Sequence, residues 1–269
     1  MKIIGEKING TRKRVAQAIA ERDELYIRDL ALKQTQAGAN WLDVNAGTHP
    51  SQEAEDLLWL INTIQEVVDT PLCLDSANPK ALQAAIQAVR KTPMINSISG
   101  EPERIENILP IVAENKCQVI ALAMDEKKIP ETSEKRMEVI RKVMTHIHNH
   151  GIPDEHVYVD PLAMTISTNP LSAMIAIETM HAVKEEFPHV NLTIGLSNIS
   201  FGLPARSNIN RVFLTMALLA GLDCAILDPL DREIQGAIVT TELLLGRDAH
   251  CLNYIRAARK GLFELTPSS

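Results

Sequence analysis

Short, wholly apolar runs alternate along the chain with longer segments in which apolar residues recur at helical spacing. The clearest unit is Pro71-Leu72-Cys73-Leu74-Asp75-Ser76, then residues 79–90 with Ala, Leu and Ile at helical intervals, then Pro93-Met94-Ile95-Asn96-Ser97. A short apolar strand that ends on a small polar residue suits a parallel sheet buried on both faces, with the polar residue where the strand leaves the core. On the same logic the first strand covers 2–5, and a helix over 11–37 breaks near Arg22-Asp23 and closes at Gly38. The second strand is Trp41–Asn45, and Ser51 is expected to cap a helix over 52–68. A helix over 103–115 leads to a fifth strand over 118–124, followed by a polar loop. Ser133 opens a helix to 150, the sixth strand is 157–160, and a helix covers 170–186. The seventh strand covers 191–196, a helix 208–220 and the eighth strand 224–228, and helices over 234–245 and 249–258 follow.

Eight such alternations with no Gly/Ser linker and no change of composition predict one domain over 1–269, an α/β chain closed into a single (β/α)8 TIM barrel. The alternative, a doubly wound open sheet, usually carries a GxGxxG or P-loop after its first strand, and neither occurs. No fixed-period repeat suggests a solenoid.

Composition narrows the function classes. The formal net charge is -7 with acids and bases interspersed, which argues against a nucleic-acid or anionic-membrane surface. Aromatic residues make up only 3%, too few for base-stacking platforms. Cys73, Cys117, Cys224 and Cys251 lack CxxC spacing, and Cys73 and Cys224 lie in apolar runs, so buried free thiols are expected rather than zinc or disulfides. With no leader-like start and no run long enough for a bilayer, a cytoplasmic protein is expected.

The expected strand ends carry Glu6, Asn45, Asp75, Asn96, Met124, Asp160, Asn198 and Asp228. One such residue alone is best read as a cap or a satisfied loop group. Together they describe a polar site without Lys, Arg, His or Cys. Such a ring is poorly suited to phosphate or to a transition metal. A hard cation among Asp75, Asp160 and Asn96 is an alternative, but no metal is expected. The ring better suits a flat heterocycle rich in N–H donors, such as a pterin: a carboxylate takes two parallel hydrogen bonds from an N–H/NH2 edge, and a carboxamide both donates and accepts.

Gly5-Glu6-Lys7-Ile8-Asn9, Asp43-Val44-Asn45-Ala46-Gly47, Leu74-Asp75-Ser76, Ile95-Asn96-Ser97, Asp160-Pro161-Leu162 and residues 195–204, with Leu196-Ser197-Asn198-Ile199-Ser200-Phe201-Gly202 the most specific, occur in order along the chain. The chain resembles the pterin-binding methyltransferases, and more narrowly the stand-alone methyltetrahydrofolate:corrinoid-protein methyltransferases, relatives of the folate domain of cobalamin-dependent methionine synthase. The resemblance implies a TIM barrel, acting as a homodimer, that moves a methyl group between N5 of tetrahydrofolate and the cobalt of a corrinoid (cobalamin) carried by a partner protein. It maps the pterin-recognising residues onto Asp75, Asn96 and Asp160, and the residue near N5 onto Asn198. Glu6, Asn45, Met124, Ser197 and Asp228 are expected to complete the folate-binding surface. Arg206, in the loop after the seventh strand, is expected to meet the folate tail or the partner, while Arg211 reads as a helix-pair residue. Met124 and Ile199 are candidates for an apolar wall at the mouth, although both also read as barrel packing.

N5 is a poor leaving group, so methyl transfer needs positive charge there in the transition state. No His stands in the ring, and Asn198, donating through its amide, is assigned that electrostatic role with the proton drawn from solvent. His49 reads as a solvated loop residue. His146, His148 and His150 do not share one helical face. The pathway stays open among acetogenic carbon fixation, O-demethylation and demethylation of methylamines or betaine. The competing readings are a dihydropteroate synthase, which would need basic residues for a diphosphate, and a non-catalytic folate-binding module of a larger complex.

Overall fold

The computed structural model describes residues 1–126 and 129–264. Eight parallel strands lie in the order β7-β6-β5-β4-β3-β2-β1-β8. They are β1 (Lys2–Asn9), β2 (Trp41–Asn45), β3 (Leu72–Asp75), β4 (Met94–Ile98), β5 (Gln118–Leu122), β6 (Val157–Asp160), β7 (Asn191–Leu192) and β8 (Cys224–Leu227). A parallel bridge between Gly195 and Ile226, with the Ile226 N–H donating to the Ile194 carbonyl at 2.9 Å, joins the β7 end to β8 and closes the sheet into a TIM barrel. The outer layer comprises α1 (Lys13–Glu21), α2 (Glu24–Gln36), α3 (Glu53–Gln65), α4 (Pro79–Ala88), α5 (Pro102–Asn107), α6 (Leu109–Glu114), α7 (Ser133–Asn149), α8 (Ser172–Glu186), α9 (Arg206–Leu219), α10 (Arg232–Leu244) and α11 (Leu252–Arg259). None of the described helices is long and apolar enough to cross a membrane.

Side chains alternate across a strand, and the two parities have separate fates here. Leu42, Val44, Leu72, Leu74, Ile95, Val119, Val157 and Val159 pack outward into the large core shared with the helices. Ile4, Trp41, Cys73, Met94, Ile120, Tyr158 and Cys224 form a second cluster that fills the barrel interior. Lys2 stoppers that interior at its N-terminal end: its ammonium donates to the Tyr158 hydroxyl at 2.9 Å and lies 5.4 Å from the Trp41 ring centre.

Four expectations are corrected. The long first strand runs through Asn9 rather than ending at Gly5, because a bulge sets Glu6 and Lys7 opposite one residue of β2. Gln34, fully buried on α2, makes the bulge possible. Its Oε1 fills the space where a Gly5 Cβ would stand, and it accepts the Lys7 N–H at 3.0 Å. The helix over 103–115 divides at Ile108, since Pro110 has no N–H to continue the ladder. Ser51 caps nothing on α3; its hydroxyl sits 2.9 Å from Nδ1 of the exposed His49. The seventh strand stops at Leu192, and the rest of its expected span turns into a 3-10 helix at Leu196–Ser200. The polar loop expected after β5 falls partly on 127 and 128, outside the described residues. Cys73, Cys117 and Cys224 are buried free thiols, whereas Cys251 is exposed.

The barrel rim is closed tightly where β1 and β2 end. The Gly10 N–H donates to the Asn45 carbonyl at 2.8 Å, and a Cβ on Gly10 would stand 1.8 Å from the Ala46 carbonyl oxygen. Neither backbone can yield cheaply. Gly10→Ala should therefore destabilise the fold by about 3 kcal/mol, seen as a lower urea midpoint with unchanged m-value.

Candidate active site

The interior parity continues upward from the apolar plug. Above Ile4 comes Glu6; above Trp41 come Asp43 and Asn45; above Cys73, Asp75; above Met94, Asn96; above Tyr158, Asp160; above Cys224 and Ile226, Asp228. The strand period thus aims seven polar side chains into one mouth, at the C-terminal barrel face where ligands bind.

The side chains are interlocked. Asn45 Nδ2 donates to Asp75 Oδ2 at 2.8 Å, and Asn96 Nδ2 donates to Asp43 Oδ1 at 3.2 Å. The Asn96–Ser97 peptide is cis. Ser76, after β3, donates to Glu53 Oε1 at 2.5 Å and ties the rim to α3. Asp160 is buried, and its Oδ1 accepts the Leu162 N–H at 2.7 Å. The Gly195 N–H also donates to it. Ser197 Oγ donates to Glu6 Oε2 at 3.3 Å across the mouth.

The ring also holds cations, contrary to the reading from strand ends alone. Because the β1 bulge turns Lys7 inward, its ammonium pairs with Asp228 at 2.6 Å. Arg12 pairs with Glu6 at 2.7 Å.

Burial governs the protonation of these acids. It pushes Asp43 well above the usual carboxylate range, and the nearby Asp75 adds to the shift. Asp75 and Glu6 are raised too, chiefly by burial, with Asn45 and Arg12 respectively opposing. Asp160 is pushed up to about 6 by burial, against the Leu162 and Gly195 N–H groups and Arg136. Asp43, the more enclosed of the Asp43/Asp75 pair, is raised further than Asp75, which stands half-buried at the mouth.

Asn198 lies on the 3-10 turn, exposed, and among the described residues no partner holds its carboxamide. Gly195 leaves space beside it, since a Cβ there would stand 3.0 Å from Asn198 Nδ2. Arg206 braces this turn. Its Nη2 donates to the Ser197 carbonyl at 2.6 Å and its Nε to Ser200 Oγ at 3.0 Å. Met124 sits half-buried beyond β5, its carbonyl accepting the Gly100 N–H at 2.8 Å. Ile199 is buried in the main core rather than lining the mouth. Arg211 reaches Glu233 on α10 at 3.5 Å, a helix-pair contact.

The strand-end reading missed Asp43 and Arg136. Asp43 was legible: it shares parity with Trp41 and Asn45. Arg136 carried no signal, since an arginine at helical spacing on α7 reads as surface, yet it is only 1% exposed.

A family model described as "Pterin binding enzyme" matches residues 5–228. The chain is 40% identical over 263 residues to a methylcorrinoid:tetrahydrofolate methyltransferase of Eubacterium limosum, covering 97% of each chain. It is 34% identical to the methionine synthase of Mycobacterium leprae (strain TN) over 83% of this chain, and there spans 20% of the longer protein. Among solved structures, dihydropteroate synthase from Xanthomonas albilineans superposes with a TM-score of 0.68 at 17% identity over 92% of this chain and 93% of that one. The Yersinia pestis dihydropteroate synthase superposes at 0.66 and 14% over 91% and 93%. At those identities the superpositions speak for the barrel alone.

Proposed function

Because the chain belongs to the pterin-binding enzyme family, we propose that it is a methyltransferase moving a methyl group between a corrinoid and N5 of tetrahydrofolate. The observation that carries this reading is the 40% identity to a methylcorrinoid:tetrahydrofolate methyltransferase along 97% of both chains. The mouth geometry agrees with it: Asp75, Asn96 and Asp160 offer acceptors and a carboxamide to the N–H/NH2 edge of a pterin. Glu6, Asn45, Met124, Ser197 and Asp228 surround that edge, and Arg206 holds the turn that presents Asn198. Residues 1–269 are read as one pterin-binding domain.

The order of groups in the relative's name favours the direction from methylcorrinoid to tetrahydrofolate. N5 attacks the methyl, the carbon–cobalt bond breaks with its electron pair left on cobalt, and the N5 proton leaves to solvent. Positive charge passes through N5 in either direction. The Asn198 carboxamide can meet it, its oxygen accepting from the protonated N5–H. The corrinoid supplies the leaving group, and the barrel supplies orientation and electrostatics. The partner is a corrinoid protein that docks at the open mouth. A cytoplasmic homodimer serving a demethylase pathway (of aryl ethers, methylamines or betaine) or an acetogenic one completes the proposal.

Mixing the protein with methylcobalamin and tetrahydrofolate should yield methyltetrahydrofolate and reduced cobalamin, and the rate should survive EDTA. Loss of activity restored by zinc or magnesium would replace this mechanism with a metal-dependent one. Tetrahydrofolate binding without methyl transfer, even from a methylated corrinoid protein, would leave a folate-binding module. Dihydropteroate formed from a dihydropterin diphosphate and 4-aminobenzoate would point to the synthase reaction.

A further inference from the structure

Among the described residues, Arg136 is the largest of the fully buried side chains. Burying a guanidinium is costly unless its donors are met. Here Nε donates to the Pro130 carbonyl at 3.0 Å, and Nη1 donates to the carbonyls of Pro161 and Leu162 at 2.6 and 2.7 Å. All three partners are backbone, and two belong to the turn that directly follows Asp160. Leu162 adopts φ 67°, a left-handed conformation that a leucine disfavours, and its N–H is the group that holds Asp160 Oδ1 at 2.7 Å. One side chain therefore clamps the two carbonyls of a strained turn whose amide orients a carboxylate of the mouth.

We propose that Arg136 is a positioning residue for the site: by gripping the 161–162 turn from α7 it aims Asp160 at the ligand, with its charge set on the same side of that carboxylate's turn. The inference rests on the pterin reading above for the ligand, but not for the geometry. Among the described residues, Arg136 is the charged side chain whose field reaches Asp160; on the carboxylate's other sides stand the Leu162 N–H from its own turn and the Gly195 N–H from the β7 end. Burial lowers the Arg136 pKa and Asp160 raises it, the reciprocal of the effect on Asp160. A lysine would keep the charge but offers no planar fork to span Pro130, Pro161 and Leu162.

The test uses Arg136→Met and Arg136→Lys in the full chain, each checked for folding by circular dichroism. In ligand-free protein, 13C-labelled aspartate reports the Asp160 titration, identified by its loss in Asp160→Asn. The midpoint should stand near 6 in the wild type. It should move up by about one unit or more in Arg136→Met and stay within about half a unit in Arg136→Lys. Arg136→Lys should weaken tetrahydrofolate binding about tenfold at every pH, the cost of misplaced charge-assisted contacts. Arg136→Met should weaken it most near neutral pH and least at high pH. An unchanged midpoint in folded Arg136→Met, or wild-type affinity in Arg136→Lys, overturns the proposal. If Arg136→Met does not fold, the Arg136→Lys affinity decides alone. Wild-type protein that fails to bind tetrahydrofolate would sink the pterin reading, while the ligand-free titration would still judge Arg136.

Discussion

Asn198→Ala should lower kcat by about ten- to a thousandfold and leave KM nearly unchanged, the pattern for loss of a group that acts in the transition state. The side chain has the freedom this role needs. It is exposed, it stands on a 3-10 turn rather than a strand, and Gly195 clears the space beside its amide. Its turn is nevertheless fixed from below by Arg206, so the backbone is held while no partner among the described residues holds the carboxamide. In the direction from methyltetrahydrofolate to cob(I)alamin, N5 must carry positive charge before it can leave, and solvent supplies the proton. The defect should therefore shrink as pH falls, because protonation becomes easier and the missing hydrogen bond matters less. Single-turnover decay of cob(I)alamin across pH would measure this. A normal single-turnover rate with a raised KM would make Asn198 a binding residue only and would remove the protein's contribution to charge at N5. Gly195→Ala should show a milder version of the kcat loss, since its methyl presses on Asn198 Nδ2.

The barrel was readable because buried parallel strands are short apolar runs with a polar residue at or near the end of most of them; β2, β3 and β6 lie where the pattern puts them. The site was readable for the same reason, with one blind spot. Taking only the last residue of each strand selects Asn45 and omits Asp43, although the alternation of Trp41, Asp43 and Asn45 puts both on the interior face. What stayed hidden depends on contacts distant in sequence. The β1 bulge, which brings Lys7 to Asp228, exists because Gln34 on α2 occupies the gap beside Gly5. Arg136 is buried because three carbonyls from two loops converge on it. The early end of β7 also escapes local pattern. Asn191-Leu192-Thr193-Ile194 reads as strand throughout, but pairing with β6 ends at Leu192 and the chain turns to carry Asn198 over the mouth.

Asp160→Ala should weaken tetrahydrofolate binding about fiftyfold at pH 8, the worth of a charge-assisted bidentate contact of about 2–3 kcal/mol. The effect should depend on pH in a direction set by burial. Asp160 is raised to about 6, so at pH 8 the free protein already presents a carboxylate, which ligand N–H donors favour. Below pH 6 the ligand must displace a proton first, and wild-type affinity should fall by about tenfold per pH unit. The alanine variant has no such proton, so the gap between the two should narrow from about fiftyfold at pH 8 to about fivefold at pH 5. Stability should move oppositely. Folding raises the pKa of Asp160 from 3.8, so its contribution is most favourable below that value and is lost as pH rises through about 6. Asp160→Asn, which can still accept the Leu162 N–H, should be more stable than wild type at pH 8 by up to about 3 kcal/mol, with the difference vanishing near pH 4. A buried carboxylate kept at a cost in stability, and needed for affinity, is the signature of a ligand-binding group. Calorimetric titration at pH 5 and pH 8, with urea unfolding at pH 4 and pH 8, measures both. Equal affinity in wild type and Asp160→Ala at pH 8 would remove Asp160 from the pterin site.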